Sequence, residues 1–242
     1  QYAKTLPELT VSALVPNVKG ARRALSLGVD KINFVISASD SHNLANVRRS
    51  TAESLEEFKR VVESAREHLS FKPRISAGIS TAFGCTIEGA IDEGFVCALA
   101  SDLATSGADE ISLADTVGYA HPAAVRRLFT LVQDHIGPSV PVAAHFHDTR
   151  GLGLANSLAA LDVGVRAFDG SLGGLGGCPH APGATGNVSI EDLVFMFESM
   201  GYATGIRIEE LLKVHCKLQK ILPNVPLHGH VASAGLPLGT KQ

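Results

Sequence analysis

The stretch VAAHFHDTRGLGLAN, residues 142–156, places two histidines two positions apart at the end of an apolar run. In a β-strand, side chains at i and i+2 lie on the same face, so His145 and His147 project side by side while Phe146 faces the other way. Two imidazoles on one face are costly to bury unless something binds their nitrogens. Their neighbours offer oxygen donors rather than clustered thiols, which favours a six-coordinate Mg²⁺ or Mn²⁺, with Zn²⁺ as an alternative.

A second group with possible chemistry is the thiol of Cys178, which lies between Gly177 and Pro179. Five glycines lie close to it in the sequence: Gly173, Gly174, Gly176, Gly177 and Gly183. Such a loop lets the backbone approach a ligand and lets the segment move. A flexible surface loop is the alternative interpretation. A thiol with little to pack against favours acid–base or nucleophilic work instead.

Further polar residues follow other apolar runs. Asp115 ends the run EISLAD and is a candidate catalytic group, although it could instead cap the helix that begins near Pro122 or fill a turn. Asp148 follows the histidine pair and could orient a ligand or cap the next helix. The other three cysteines fall in predicted loops or helices and are interpreted as structural: Cys85, Cys97 and Cys216.

The elements that position these groups alternate along the chain. Strands are predicted at residues 9–17, 31–37, 74–80, 110–116, 140–147 and 165–172. Helices are predicted at residues 18–28, 51–69, 86–106, 122–136, 152–162, 190–200 and 208–221. Alternating apolar strands and helices predict an α/β fold with a parallel sheet covered by helices. A doubly wound sheet is the competing fold, but no glycine-rich phosphate turn follows the first strand.

We therefore predict a (β/α)₈ TIM-type barrel, with six βα units visible and all 242 residues in one catalytic domain. Two units are missing for closure, which indicates that the N-terminal part of the barrel lies upstream of Gln1. The carboxyl ends of barrel strands carry the chemistry in this architecture. The histidine pair, Asp115 and the cysteine loop all fall at such ends.

Composition excludes several classes of function. Hydrophobic residues make up 45% of the chain and charged residues 19%, which is typical of a globular protein with a sizeable core. The net charge of −3 gives no electrostatic footprint for a nucleic acid, and no apolar run is long enough to span a membrane. The four cysteines form no CxxC pair, which argues against structural zinc and favours a reducing compartment, the cytoplasm or the mitochondrial matrix.

The motifs SLADTVG, HFHDTRGLGLAN and GGLGGCPHAPGATGN together resemble the 3-hydroxy-3-methylglutaryl-CoA lyase family, and the similarity extends over roughly residues 9–212. This family belongs to the metal-dependent lyases and Claisen synthases built on a TIM barrel. Related isopropylmalate and citramalate synthases share the HxH motif but lack the cysteine. The cysteine loop is thus the most specific part of the resemblance.

The resemblance implies a role for each matching residue. It makes His145, His147 and Asn187 the metal ligands and Cys178 the proton donor. His145 is also placed to relay a proton from the substrate hydroxyl. A further three residues would line the substrate pocket, with Asp115 counted among the catalytic groups: Ser112, Asp115 and Thr116.

The implied reaction is a retro-Claisen cleavage of a small-molecule acyl-CoA, 3-hydroxy-3-methylglutaryl-CoA, to acetoacetate and acetyl-CoA, in a homodimer or homotetramer. A departure is that the family's first strand, with an Arg and a metal-binding Asp, has no counterpart after Gln1. The chain as given is therefore expected to be incomplete and inactive. Three alternatives stay open: a sister lyase acting on citramalyl-CoA or another branched acyl-CoA, a Claisen synthase or aldolase on the same scaffold, and a non-catalytic barrel.

Overall fold

The strands form one parallel sheet. The computed structural model describes residues 2–6, 8–67, 72–177 and 186–239. Within these ranges six strands pair in chain order. They are β1 (Ser12–Val15), β2 (Lys31–Ser37), β3 (Arg74–Ser80), β4 (Glu110–Asp115), β5 (Val142–Phe146) and β6 (Ala167–Asp169). The sheet curls into a half-barrel, which confirms the predicted α/β barrel architecture with six visible units.

Helices follow the strands and cover the outer side of the sheet. In the described residues they are α1 (Val18–Ser26), α2 (Asp40–Val47), α3 (Thr51–Arg66), α4 (Glu93–Thr105), α5 (Pro122–Ile136), α6 (Gly153–Asp162), α7 (Ile190–Ser199), α8 (Ile208–Ile221) and α9 (Val231–Ala234). Short 3₁₀ helices occupy Tyr2–Thr5 and Leu172–Gly174. The aliphatic and aromatic residues between sheet and helices form the main core, with Phe34, Phe58, Phe129 and Phe146 almost fully buried.

The strand register aligns a row of mostly small residues on the inner side of the sheet. One row crosses five strands, because each member pairs with the next: Val35, Gly78, Ser112, Ala143 and Ala167. The following row includes Ala114, His145 and Asp169. Short side chains below and polar groups above leave a concave space at the carboxyl ends of the strands. This is the end where a parallel barrel carries its chemistry.

The predicted boundaries differ from the structure at several elements. The helix expected at residues 86–106 begins only at Glu93, because Asp92 caps it by accepting a hydrogen bond from the Phe95 amide. Before it, Cys85 and Gly89 exchange backbone hydrogen bonds in a turn in which Gly89 has φ of +80°. Helix α2 was not predicted at all. The predicted first and last strands were longer than β1 and β6.

The first turn of helix α7 contains a buried carboxylate. Glu191 is fully buried and accepts hydrogen bonds from the Gly173 amide at 3.0 Å, the Ser189 hydroxyl at 2.7 Å and the His215 Nδ1 at 2.6 Å. These contacts join α7, α8 and the segment that leads to the cysteine loop. Glu191 therefore ties α7 to α8 and to the segment Leu172–Gly174.

Replacing Glu191 by alanine is expected to lower the free energy of unfolding by about 3 kcal/mol, because buried donors lose their acceptor. For a domain of this size that corresponds to a fall in Tm of roughly 10 °C. Thermal denaturation followed by circular dichroism measures it. Glu209→Ala, at an exposed position in the first turn of α8, is the matched control. An unchanged Tm in Glu191→Ala would remove the anchoring role.

Candidate active site

The concave side of the sheet forms a cleft of about 360 Å³. This volume lies within the range of small-molecule sites. Its lining includes four residues that the sequence analysis selected as site residues: Ser112, Thr116, His145 and His147. The structure thus brings both histidines and two of the predicted substrate-binding residues to one surface.

His145 is the last but one residue of β5, and its ring is held by a neighbouring strand. Nδ1 of His145 lies 2.5 Å from Oδ1 of Asp169, the residue paired with it across β5 and β6. A carboxylate only accepts, so Nδ1 carries the proton and Nε2 is the nitrogen available to a ligand or a substrate proton. Metal-binding histidines are commonly held in this way by a carboxylate behind them.

The electrostatic surroundings of His145 favour a positive charge at this position. Burial alone lowers the pKa of His145, but the hydrogen bond and charge of Asp169 and the charge of Asp115 outweigh it and raise the pKa above its ordinary value. The side chain is 29% exposed and Asp169 is 64% exposed. The pair therefore lies at the open rim of the cleft, where a cation can replace the proton.

Asp169 was not among the residues selected from the sequence. Replacing its carboxylate gives a testable prediction for metal binding. Asp169→Asn is expected to weaken Mg²⁺ or Mn²⁺ binding by about 10–100-fold, because the carboxylate fixes the ring orientation and basicity of a metal-binding histidine. Isothermal titration with each ion measures this. Asp162→Asn, whose carboxylate contacts Arg126 on the surface, is the control. Equal metal affinity in Asp169→Asn and the control would mean that His145 is not a ligand.

His147 lies two residues after His145, just beyond the end of β5. The two rings make an edge-on contact with their centroids 5.2 Å apart. An isolated antiparallel bridge joins the backbone of His147 to that of Asn187. The amide nitrogen of Asn187 donates to the Leu175 carbonyl at 2.7 Å, so its side-chain oxygen is the donor that a cation would use. A Cβ on Gly176 would lie 2.9 Å from that nitrogen, which explains the glycine at this position.

These three residues fit a divalent cation in donor type. The amide oxygen is a hard donor suited to Mg²⁺ or Mn²⁺, and the two imidazole nitrogens are borderline donors that also suit Zn²⁺. Among the described residues, no group of three His, Cys, Asp or Glu side chains is arranged to hold a metal ion. Asp169 also lines the cleft, where its Oδ1 is engaged by Nδ1 of His145. Binding through His145, His147 and Asn187 stays a prediction.

The remaining predicted site residues differ in their surroundings. Asp115 is buried and accepts hydrogen bonds from the amides of Tyr119 at 2.8 Å and Ala120 at 3.0 Å. Burial raises the pKa of Asp115 above its ordinary value, although these amides oppose the change. This geometry favours the turn-forming alternative. Thr116 lines the cleft and accepts a hydrogen bond from the Thr81 amide at 2.8 Å.

The thiols are distributed as follows. Cys178 lies outside the described residues, so its role as proton donor stays a prediction. Cys85 and Cys97 are buried, in keeping with structural roles, while Cys216 is exposed on α8.

Asp148 accepts a hydrogen bond from the Gly153 amide at 2.7 Å, which agrees with the alternative in which it caps the next helix. In the described part of the chain, no helix has the length and apolar content needed to cross a membrane.

Comparison with known proteins gives consistent matches. The family model described as HMGL-like matches residues 3–217. A hydroxymethylglutaryl-CoA lyase of Bacillus subtilis is 41% identical over 89% of this chain and 72% of the relative. An (R)-citramalyl-CoA lyase of Chloroflexus aurantiacus is 43% identical over 93% of this chain and 69% of the relative. A solved HMG-CoA lyase from Acinetobacter baumannii, in complex with coenzyme A and 3-methylmalate, has a TM-score of 0.88 and 41% identity, covering 97% of this chain and 75% of that chain.

Proposed function

The chain belongs to the HMGL-like family, its relatives are carbon–carbon lyases, and we propose that it cleaves 3-hydroxy-3-methylglutaryl-CoA to acetoacetate and acetyl-CoA. The observation that carries the proposal is the His145–His147 pair at the carboxyl ends of a parallel barrel sheet, with Asp169 behind His145. The comparisons support a lyase that acts on a CoA-bearing substrate. The chain spans 72% of the length of the Bacillus subtilis relative.

The reaction needs a proton removed at one end of the broken bond and a proton delivered at the other. The family is generally dependent on a divalent metal, and a cation bound by His145, His147 and Asn187 would lower the pKa of the substrate hydroxyl. Since Nδ1 of His145 is tied to Asp169, Nε2 can either hold the cation or accept the hydroxyl proton; in the second case the cation would be held by His147 and Asn187. The electrons of the broken bond pass to the acetyl-CoA enolate.

That enolate must then be protonated before it reacts with water or with the departing ketone. Cys178, in the glycine-rich loop, is the proposed donor, and its thiol proton completes acetyl-CoA. The donor set suits Mg²⁺ or Mn²⁺, with Zn²⁺ as an alternative. Ser112 and Thr116 border the space where the acyl group would lie. We retain a homodimer or homotetramer as the expected assembly.

A citramalyl-CoA lyase is the second candidate, because a relative with that activity is 43% identical to this chain. The two activities differ in product: hydroxymethylglutaryl-CoA releases acetoacetate, whereas citramalyl-CoA releases pyruvate. We would incubate the protein from its complete gene with each acyl-CoA and Mg²⁺ or Mn²⁺, and quantify both products. Acetoacetate supports the main proposal, pyruvate alone supports the second, and neither product rejects both. Incubation with acetyl-CoA and 2-oxo acids tests the synthase alternative.

A further inference from the structure

The cleft that contains the histidine pair continues past it toward the amino ends of the strands. Its lining there includes Lys31, Asn33, Ser76 and Glu110, which lie in the first residues of β2, β3 and β4. We call these four residues the polar floor. Strand pairing places three of them, Asn33, Ser76 and Glu110, side by side in one row. The proposed cleavage uses none of the four, since it takes place at the opposite ends of the strands.

The space between the histidine pair and the polar floor is bordered by the row of small residues, with Gly78 in its middle. Gly78 lies on β3, which pairs with β2 on one side and with β4 on the other. A Cβ at this position would lie 3.6 Å from the Phe34 carbonyl oxygen, which is an ordinary contact, and φ of Gly78 is not positive. Neither packing nor backbone conformation therefore requires a glycine, and its effect is to widen the cleft.

The charges of the polar floor are balanced within it. Nζ of Lys31 and the hydroxyl of Ser76 both donate to Oε1 of Glu110, at 2.5 Å and 2.9 Å. Glu110 is 6% exposed, and a buried carboxylate needs such partners to remain ionised. The floor as a whole is therefore polar and neutral.

Asn33 is the member of the polar floor with an unused hydrogen-bonding atom. Its side-chain oxygen Oδ1 is buried and has no partner among the described residues. A carboxylate would bring only further acceptors to this oxygen and to Glu110, and an ammonium group would lie beside Lys31. A hydroxyl group fits better, because it is uncharged and donates to Oδ1 while keeping its own capacity to accept.

The depth of the floor sets the length of a chain that reaches it from the histidine pair. On β4, Glu110 of the floor precedes Ala114, the residue paired with His145, by four residues. Four residues of a parallel strand span about 13 Å. The side chains at both ends occupy part of this distance, so a chain of about six to eight atoms, with bonds near 1.5 Å, spans the rest.

We propose that the protein accepts 3-hydroxyglutaryl-CoA substrates in which the methyl group at C3 is replaced by a longer chain that ends in a hydroxyl group, and that this hydroxyl binds Oδ1 of Asn33. The proposal rests on the proposed lyase function and extends the substrate class of the same site. The carbinol carbon stays at the histidine pair while the added chain passes Gly78. Specificity then has two sources, the width of the cleft at Gly78 and the hydrogen bond at Asn33.

The test uses three acyl-CoAs that lack the C3 hydroxyl group and therefore cannot be cleaved. 3-Methylglutaryl-CoA carries the short group, 3-heptylglutaryl-CoA a long apolar chain, and 3-(6-hydroxyhexyl)glutaryl-CoA a chain of equal length that ends in a hydroxyl. Isothermal titration calorimetry with Mg²⁺ present gives the dissociation constants. We expect the hydroxyl-ended analogue to bind about tenfold more tightly than the heptyl analogue, which leaves Asn33 unpaired. Equal affinity of the two long analogues, or weaker binding of the hydroxyl-ended analogue than of 3-methylglutaryl-CoA, overturns the proposal.

Asn33→Leu separates ligand binding from a structural role. Leucine is similar in size but has no hydrogen-bonding atom, so it should weaken binding of the hydroxyl-ended analogue by about 10–100-fold and leave 3-methylglutaryl-CoA unchanged. The Tm should not fall, because replacing an unpaired buried amide by an apolar group does not cost stability. A lower Tm with equal effects on all three ligands would instead assign Asn33 to the fold and overturn the proposal. Asn224→Leu, at an exposed position after α8, is the matched control.

Gly78→Val tests the width of the cleft. It should weaken binding of both long analogues by about tenfold or more, while 3-methylglutaryl-CoA, which does not pass this row, keeps its affinity. Ala143→Leu narrows the same row from β5 and should act in the same way, so the test does not depend on the folding of one variant. Ala123→Leu, exposed on α5, is the control. Undiminished binding of the long analogues in both folded variants would show that the chain does not take this path.

The same measurements distinguish this inference from the proposed function. If the wild-type protein prefers the hydroxyl-ended analogue through Asn33 but releases neither acetoacetate nor pyruvate in the lyase assay, the lyase proposal fails and the extended site stands. If it cleaves a substrate but Asn33→Leu binds the hydroxyl-ended analogue as tightly as the wild type does, the lyase proposal stands and the extended site fails.

Discussion

Replacing His147 by alanine is expected to remove tight binding of Mg²⁺ or Mn²⁺ and, with it, the lyase activity. His147 is 94% buried, lies against His145 at the rim of the cleft, and is bridged through its backbone to Asn187. Loss of an outer partner of a metal ligand costs about 10–100-fold in affinity, so loss of a ligand itself should cost more than 100-fold. Titration with Mn²⁺, followed by electron paramagnetic resonance of the free ion, measures the affinity directly.

The interpretation needs a variant that removes an imidazole elsewhere. His135→Ala removes an exposed imidazole on α5, whose Nδ1 contacts the Leu131 carbonyl, and should leave metal affinity unchanged. The fold of His147→Ala is checked by circular dichroism, since truncation of a buried side chain also lowers stability. Full metal occupancy in folded His147→Ala would exclude this residue from the ligand set. It would also remove the chemical reason for the HxH spacing.

Much of the fold was predictable because buried parallel strands have a distinctive composition. The predicted ranges 31–37 and 74–80 coincide with β2 and β3, and 110–116 differs from β4 by one residue. Each is an apolar run between turn residues, and such a run has few structural solutions once helices alternate with it. The histidine pair followed from the same argument, since the period of two alone places His145 and His147 on one face.

The parts that were not predictable depend on residues far apart in the sequence. Helix α2 has weak apolar periodicity and is held by Glu88 and Thr51, so local sequence does not indicate it. Asp169 reaches His145 only through the pairing of β5 with β6. Sequence spacing gives neither strand register nor the neighbours of an edge strand.

Asp115 illustrates how one position can satisfy two hypotheses. Its place at the end of β4 suggested catalysis, yet its side chain faces away from the cleft and both carboxylate oxygens accept backbone amides. Its charge nevertheless contributes to the raised pKa of His145. Asp115 therefore affects the site indirectly, by holding the turn before α5 and by the effect of its charge on the pKa of His145. Its position in the sequence does not distinguish these indirect effects from direct contact with a substrate.

Cys178→Ser is expected to lower kcat by about 10²–10⁴-fold, the contribution of a positioned general acid, while leaving metal affinity nearly unchanged. A thiol has a pKa of about 8.5, so it is mostly protonated near neutral pH yet can deliver its proton to an enolate. A serine hydroxyl has nearly the same size but is a much weaker acid. The change thus removes the acidic group with little change in side-chain size. Steady-state kinetics with hydroxymethylglutaryl-CoA, together with Mn²⁺ titration, measures both quantities.

The replacements at His147 and Cys178 are expected to affect different quantities, metal affinity in the first case and kcat in the second. This contrast makes the assignment of the two roles testable. His147→Ala should lose the metal and hence the activity, whereas Cys178→Ser should keep the metal and lose turnover. Cys216→Ser, which removes an exposed thiol on α8, should change neither and is the matched control for loss of a cysteine. If Cys178→Ser lost metal affinity in the same proportion as kcat, its thiol would belong with the ligands. If it kept full activity, proton delivery to the enolate would have to come from another group.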